Sequence, residues 1–287
     1  MSLYVLFLVL TAAILHASWN LLAKKAKGKT PFIWLQYVAA NILYLPFLCF
    51  QTSHADTIFL QPLLWFSLSS AVLHLGYFTV LQKGYRNADL SVVYPLARGS
   101  APLLSFIAAI LLLHEKLKLS SVAGLLLIIA GVLIITGLSF KKENNSQIKA
   151  GIIYGIFTGL FIALYSFNDA VAVKTYAVSP LLLTLATNLF SAVLLVPFVM
   201  SQKDELKREI KVHKWIIIVI AILSPAAYIL VLEALKYAPL SVVAPARETS
   251  ILLGVLMGAS VLKEGDGKRR LIASVLILGG IIVLSLS

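Results

Sequence analysis

"VVYPLARGSAPLL" (residues 92–104) returns later in the chain as "VVAPARETSILL" (residues 242–253). Each copy places an arginine a few residues after a proline, inside an otherwise apolar stretch. Each stretch is about as long as a bilayer is thick, so both phrases read as transmembrane helix. A charge at the centre of a membrane helix costs about 2.5–3.5 kcal/mol on insertion scales. Two arginines at matched places therefore need partners or a wet cavity, and their repetition points to a duplicated chain.

Working outward from these phrases, the solvent is set by composition. The chain of 287 residues is 60% hydrophobic and only 13% charged, where a soluble domain carries roughly a quarter charged residues. A mean hydropathy of +0.95 indicates a polytopic membrane protein. Ten apolar spans can be drawn, at about 3–23, 31–51, 60–82, 90–113, 119–140, 150–171, 179–200, 214–234, 240–262 and 270–286. Each approaches the ~20 residues that cross a hydrocarbon core as helix. Helix is required because every backbone polar group must be satisfied within the lipid. Pro31, Pro62 and Pro180 open spans, where a missing N–H costs nothing. The first span lacks a basic leader and is followed by "KKAKGK", so it reads as helix one and not as a signal peptide. Cys49 is the one cysteine, which excludes an intramolecular disulfide.

A shift of 149 residues aligns Lys25 with Lys174, Pro31 with Pro180, Arg98 with Arg247, Glu115 with Glu264 and Gly131 with Gly280. The expected organisation is a first five-helix repeat at 1–140, a cytoplasmic linker at 141–149 and a second repeat at 150–287. Five helices per half is odd, so the second half crosses the membrane in the opposite sense. The fold class expected is an all-α integral membrane protein, with ten transmembrane helices as two inverted repeats.

The net charge of +12 raises nucleic acid as a partner. The basic residues are instead spread over loops. The loops after spans one, three, five, seven and nine hold 18 lysines and arginines, and the opposite face holds only 4: Lys116, Lys118, Lys174 and Lys236. By the positive-inside rule the rich face is cytoplasmic and both termini lie outside. The charge is thus a topology signal, and no nucleic acid is expected. There is no phosphate-cradling glycine–lysine loop and no dinucleotide fingerprint. His114 and Glu115 are adjacent but have no second histidine for a zinc helix. No nucleophile–base pair stands at readable spacing. No enzyme activity, catalytic residue, cofactor or metal is expected.

"HASWNLLAKKA" (16–26), "YPLARGSAPLL" (94–104) and "APARETSILLG" (244–254), with endings near "LLHEKL" and "VLKEGD", resemble the EamA-type permeases of the drug/metabolite transporter superfamily. The resemblance covers essentially the whole chain. It implies a central cavity lined by helices one, three, four, six, eight and nine, with five and ten peripheral. It implies transport of a small molecule such as an amino acid, another metabolite, a quaternary amine or a drug. Well-known ten-helix members have cytoplasmic termini, whereas the lysine count here favours the reverse.

Arg98 and Arg247 lie some seven or eight residues into their spans, roughly 10–12 Å below a surface. Three readings stand: Arg98 pairs with Glu248 to fix packing, both arginines snorkel, or they serve a solvated site. The reading adopted is the last. Arg98, beside Gly99, Ser100 and Ala101, is expected to face the cavity, and Arg247 to pair with Glu248. Trp19, Asn20, His74, Tyr77, Tyr94, Asn168 and Tyr228 complete the candidate substrate-binding set with Arg98, Arg247 and Glu248. His16, His74, Asp169 and Glu248 are candidate proton carriers. Pro95, Pro102, Pro225 and Pro245 are expected to kink helices four, eight and nine. Gly151, Gly155 and Gly159 are expected to let helices pack closely, and Glu233 to pair with Lys236. The expected function is a secondary transporter, an exporter of a small polar metabolite such as an amino acid or other organic anion or zwitterion. It would act as a monomer or homodimer in the cell inner or plasma membrane. A membrane scaffold, a membrane enzyme and a flippase of a lipid-linked substrate are the alternatives.

Overall fold

The computed structural model describes residues 1–26, 28–51, 60–88, 90–116, 118–136, 145–253 and 267–286. Within them the protein is helical, and no strand occurs. The helices are α1 (Leu3–Ala26), α2 (Thr30–Gln51), α3 (Leu60–Asn87), α4 (Leu90–Leu112), α5 (Leu119–Thr136), α6 (Asn145–Lys174), α7 (Pro180–Met200), α8 (Lys203–Tyr237), α9 (Leu240–Ala246) and α10 (Gly267–Ser285). Among the described residues, seven helices are long and apolar enough to cross a membrane: α1–α4 and α6–α8. Within α5 and α10 the apolar stretches are shorter, Leu119–Ile134 and Ile272–Leu284. Residues 254–266, which include the end of the expected span nine (to 262) and Glu264, lie outside the described residues.

Two expected connections are helix instead. Residues 145–149 of the predicted linker form the first turns of α6, and residues 203–213 extend α8 beyond its apolar part. The α8 extension holds because its charges suit helix geometry. Asp204 and Glu205 occupy the first turn, where carboxylates meet the positive end of the helix dipole. Arg208 bonds Glu205 at 3.2 Å one turn away, and Lys29 reaches Glu205 at 3.3 Å.

The prolines act unequally. Helices α4 and α8 run unbroken through Pro95, Pro102 and Pro225. Of these helices only α9 breaks, at Ala246, one residue beyond Pro245. The Glu248 N–H bonds back to Pro245 O, and the Ser250 and Ile251 N–H groups to Arg247 O and Glu248 O, each three residues away. Such tight turns interrupt the α-helical ladder. Helix resumes at 249–253. Arg247 and Glu248 therefore sit on a broken segment at membrane depth.

Packing is nearly symmetric between the halves. Helix α1 packs on α8 as its counterpart α6 packs on α3. Helix α2 packs on α8 as α7 packs on α3, and α2·α7, α4·α9 and α5·α10 are self-paired. The largest departure from the pattern is that α4 lies tightly along α6, while no comparable packing joins α1 and α9 among the described residues. Glycine makes the α4–α6 contact possible. A Cβ on Gly151 would meet Val92 at 2.8 Å, and one on Gly155 would meet Leu96 Cβ at 2.7 Å. One on Gly159 would strike Ser100 Oγ and stand 3.0 Å from Ala101 N. Backbones approach closely where small residues line the contact. The cavity lies between the later turns of α1 and the segment that follows α9.

Candidate functional site

A cavity of about 480 Å³ lies among α1–α4 and α6–α9, within the size range of small-molecule sites. Its wall reaches Gly28 and Thr30 at the α1–α2 turn, Gln82 on α3 and Leu195 on α7. These are the lysine-rich ends of their helices. The lysine-poor end is sealed by an apolar plug in which Val5 and Val9 of α1 pack with Val173, Leu183, Leu232 and Val243.

A polar latch fastens the same end. His114 takes φ 53 after the end of α4, and the Glu115 N–H bonds back to Ala109 O at 3.2 Å. This left-handed turn ends the helix and carries Glu115 toward α9. The Glu115 carboxylate accepts the Leu240 N–H at 2.7 Å, the Ser241 N–H at 3.0 Å and the Ser241 hydroxyl at 2.7 Å. Lys174 lies 3.4 Å from the same carboxylate and donates to Ala238 O at 3.0 Å. Repeat alignment had flagged Glu115 and Lys174, but neither belonged to the expected site.

The charged wall of the cavity is Arg98, Arg247 and Glu248. Arg98 Nη1 stands 3.7 Å from Glu248 Oε2, and its guanidinium lies 5.7 Å from the Tyr94 ring centroid. Arg247 donates to Ser166 Oγ at 3.4 Å and stands 5.9 Å from the centroid of Tyr228. This reverses the expected pairing: the partner of Glu248 is Arg98, across the repeat interface. On the broken segment the two neighbours diverge, Glu248 aimed at α4 and Arg247 turned toward α6 and α8. Arg247 has no carboxylate partner among the described residues.

An aromatic wall adjoins Arg247. His74 stacks on Tyr165 at 3.9 Å between centroids. Tyr77 and Tyr228 stand edge-on to Tyr165 at 6.4 and 6.5 Å. Behind this wall lies Asp169, fully buried. Its carboxylate accepts bonds from Ser70 at 3.0 Å, from Asn168 at 2.9 Å and from the Tyr228 hydroxyl. Asn168 in turn donates to Phe66 O at 3.0 Å and accepts from Ser69 at 2.7 Å. Ser70 also reaches toward His74 Nδ1 at 3.3 Å. The buried carboxylate is thus linked to the cavity through Tyr228 and His74.

Of the expected residues, His16, Trp19, Asn20, His74, Tyr77, Arg98, Tyr228, Arg247 and Glu248 line the cavity. Tyr94, Asn168 and Asp169 do not. Tyr94 flanks Arg98, while Asn168 and Asp169 are consumed by the buried network. Trp19 and Asn20 are the repeat counterparts of Asn168 and Asp169, yet they face open space. Equivalent positions in the two halves therefore hold different environments. The expected set of lining helices also needs correction, because α2 and α7 contribute Gln36, Tyr37, Thr187, Asn188 and Ser191. On α7 these polar residues recur with Thr184 at helical spacing, a signal readable in sequence but masked by the apolar run around it. Glu233 and Lys236 pair at 2.7 Å as expected. No cluster of metal-ligating side chains occurs among the described residues.

Comparison with known proteins agrees with this architecture. A search of curated proteins finds no match. One solved structure, described only as the crystal structure of a protein, aligns with a TM-score of 0.74 at 17% identity. The alignment covers 98% of this chain and 96% of the other, a likeness of fold alone. The EamA-like transporter family matches twice, at residues 3–137 and 149–286. The chain is therefore a multi-pass membrane protein belonging to the EamA-like transporter family, within the drug/metabolite transporter superfamily.

Proposed function

We propose that the protein is a secondary transporter that exports a small organic anion or zwitterion by alternating access between two inverted five-helix repeats. The observation that carries the substrate charge is Arg247, in the cavity wall without a carboxylate partner among the described residues. A guanidinium presents a planar fork suited to carboxylate or phosphate. Two arginines against one glutamate leave the wall with an excess positive charge, which disfavours cations.

The inverted reading is supported by the matched helix pairs and by the largest departure from them. The tight α4–α6 contact and the open α1–α9 gap are the same interface in two states. Exchange of the two states by rocking would close the lysine-rich end and release the Glu115 latch. With the lysine-rich face in the cytoplasm, the present form is open to the cytoplasm, the loading step of an exporter in the inner or plasma membrane. Asp169, joined to the cavity through Tyr228, is the proposed proton site, with His16, His74 and Glu248 as further carriers; Arg247 also lies against Tyr228. Protonation of Asp169 and occupation of Arg247 would thus be sensed by one side chain.

The test is thermal unfolding of purified protein with a metabolite panel, since a ligand that binds the folded state raises apparent stability. Organic anions are expected to raise the midpoint of the wild type and to lose that effect in Arg247→Ala. Stabilisation by organic cations alone would overturn the reading.

A further inference from the structure

The first turns of α8 carry a basic stripe on the side away from the bundle. Lys203, Lys207, Lys211 and Lys214 are exposed. They stand four, four and three residues apart, a spacing that keeps them on one helix face. The same spacing runs on through Ile218 and Ile222. Both isoleucines are exposed in the membrane-spanning part of α8, so this face meets lipid, and the lysines overhang it. The opposite face of the segment is occupied. Glu205 holds Lys29 at 3.3 Å and Arg208 at 3.2 Å, and buried Glu209 pairs with His213 at 2.6 Å. His213 in turn stands edge-on to Phe32 at 5.7 Å. Among the described residues none of the four lysines is in an ion pair. Asp204 is the one exposed acid of the segment.

The depth of the stripe follows from its aromatic neighbours. Trp215 and Tyr237 are 69% and 61% exposed and bracket the apolar part of α8. They are roughly 33 Å apart along the helix, close to the ~30 Å hydrocarbon core, and Trp and Tyr favour its two boundaries. Lys214 Nζ lies 5.5 Å from the Trp215 ring centroid. Lys214 and Lys211 rise roughly 2 and 6 Å above Trp215, within a headgroup layer about 5–8 Å deep. Lys207, roughly 12 Å up, reaches that layer by bending its stem back. Lys203, at roughly 18 Å, stands clear of it. We infer that Lys207, Lys211 and Lys214 bind the headgroup of an anionic phospholipid whose chains lie along Trp215, Ile218 and Ile222. A lysine near an anionic membrane surface adds roughly fivefold in affinity. The apolar stripe in line with the charges selects a lipid over a soluble anion. None of these residues lines the cavity, so the site is independent of what the cavity carries.

The probes are dioctanoyl phosphatidylglycerol, dioctanoyl phosphatidylcholine and inorganic phosphate. Each is added to the purified full chain in neutral detergent micelles, with affinity read from thermal shift. The wild type is expected to bind phosphatidylglycerol about tenfold or more tightly than phosphatidylcholine, and the preference should shrink as salt is raised. In the triple variant Lys207→Gln, Lys211→Gln and Lys214→Gln the ratio should fall toward one, whereas arginine at the same three positions should keep it. A matched variant, Lys25→Gln with Lys83→Gln and Arg86→Gln, removes the same charge from other exposed positions on α1 and α3 and should also keep it. Because the three lysines of the site have no ion-pair partner among the described residues, their glutamine variant should unfold, without lipid, close to the wild-type temperature. A wild-type ratio near one, a ratio unchanged in the glutamine triple, an equal loss in the matched variant, or equal stabilisation by inorganic phosphate would each overturn the lipid site while leaving the transport reading untouched.

Discussion

Removing Arg98 should harm the fold more than removing Arg247, the reverse of what the two sequence phrases alone suggest. Arg98 and Glu248 are 3.7 Å apart with side chains 19% and 6% exposed. At an effective dielectric of 20, Coulomb attraction at that separation is about 4.5 kcal/mol. Arg98→Ala strands the buried Glu248, whose Oε2 has no hydrogen-bond partner to compensate. Breaking one side of such a buried pair costs about 3–5 kcal/mol. Arg247→Ala forfeits one long hydrogen bond to Ser166 and one ring contact with Tyr228, together about 1–2 kcal/mol. At roughly 2–4 °C per kcal/mol for a chain of this size, the midpoints should fall by about 6–20 °C and 2–8 °C. The double variant Arg98→Met with Glu248→Gln should recover to within about 1 kcal/mol of wild type, since a buried pair is often replaceable by neutral groups. The assay is thermal unfolding in detergent micelles followed by tryptophan fluorescence, run as a double-mutant cycle. If Arg247→Ala is the more damaging change, or the double variant melts as low as Arg98→Ala, the pairing drawn from the structure is wrong.

Three further outcomes are expected. Gly159→Ala should force α4 from α6, because the new Cβ would meet Ser100 Oγ and the backbone at Ala97 and Ala101; overpacking of this kind costs about 1–3 kcal/mol. Gly279→Ala, with nothing within 4 Å, should be neutral or stabilising by up to about 1 kcal/mol, and equal effects of the two in unfolding titrations would contradict the packing argument. In intact cells a cysteine at Gln202 should resist an impermeant thiol reagent, while one at exposed Lys116 should react; the opposite pattern would invert the orientation without touching the repeat. Asp169→Asn should stop proton-driven accumulation in proteoliposomes but spare exchange of substrate across the membrane, and full retention of pH-driven uptake would remove Asp169 from the coupling.

Hydropathy is a local property, and the helices it determines were legible residue by residue. Apolar runs of about twenty residues, opened by Pro31, Pro62 and Pro180, became α2, α3 and α7, because in lipid a chain has to satisfy its own backbone. The Gly151–Gly155–Gly159 stripe was equally readable, since one helical face carries it wherever the partner lies. The repeat was legible too, through matched side chains 149 residues apart. What sequence could not decide was which side chains meet. Arg98 and Glu248 are 150 residues apart, and only the approach of α4 to α9 and the segment after it brings them together, while Arg247, the sequence neighbour of Glu248, points toward α6 and α8. Trp19 and Asn168 are equivalent by alignment, yet one faces the cavity and the other a buried carboxylate, because the halves pack differently at α1–α9 and α4–α6. The four prolines looked alike in the sequence, and only the one on α9 breaks its helix. A residue's burial depends on what the rest of the fold places opposite it, and that is the part tertiary structure alone decides.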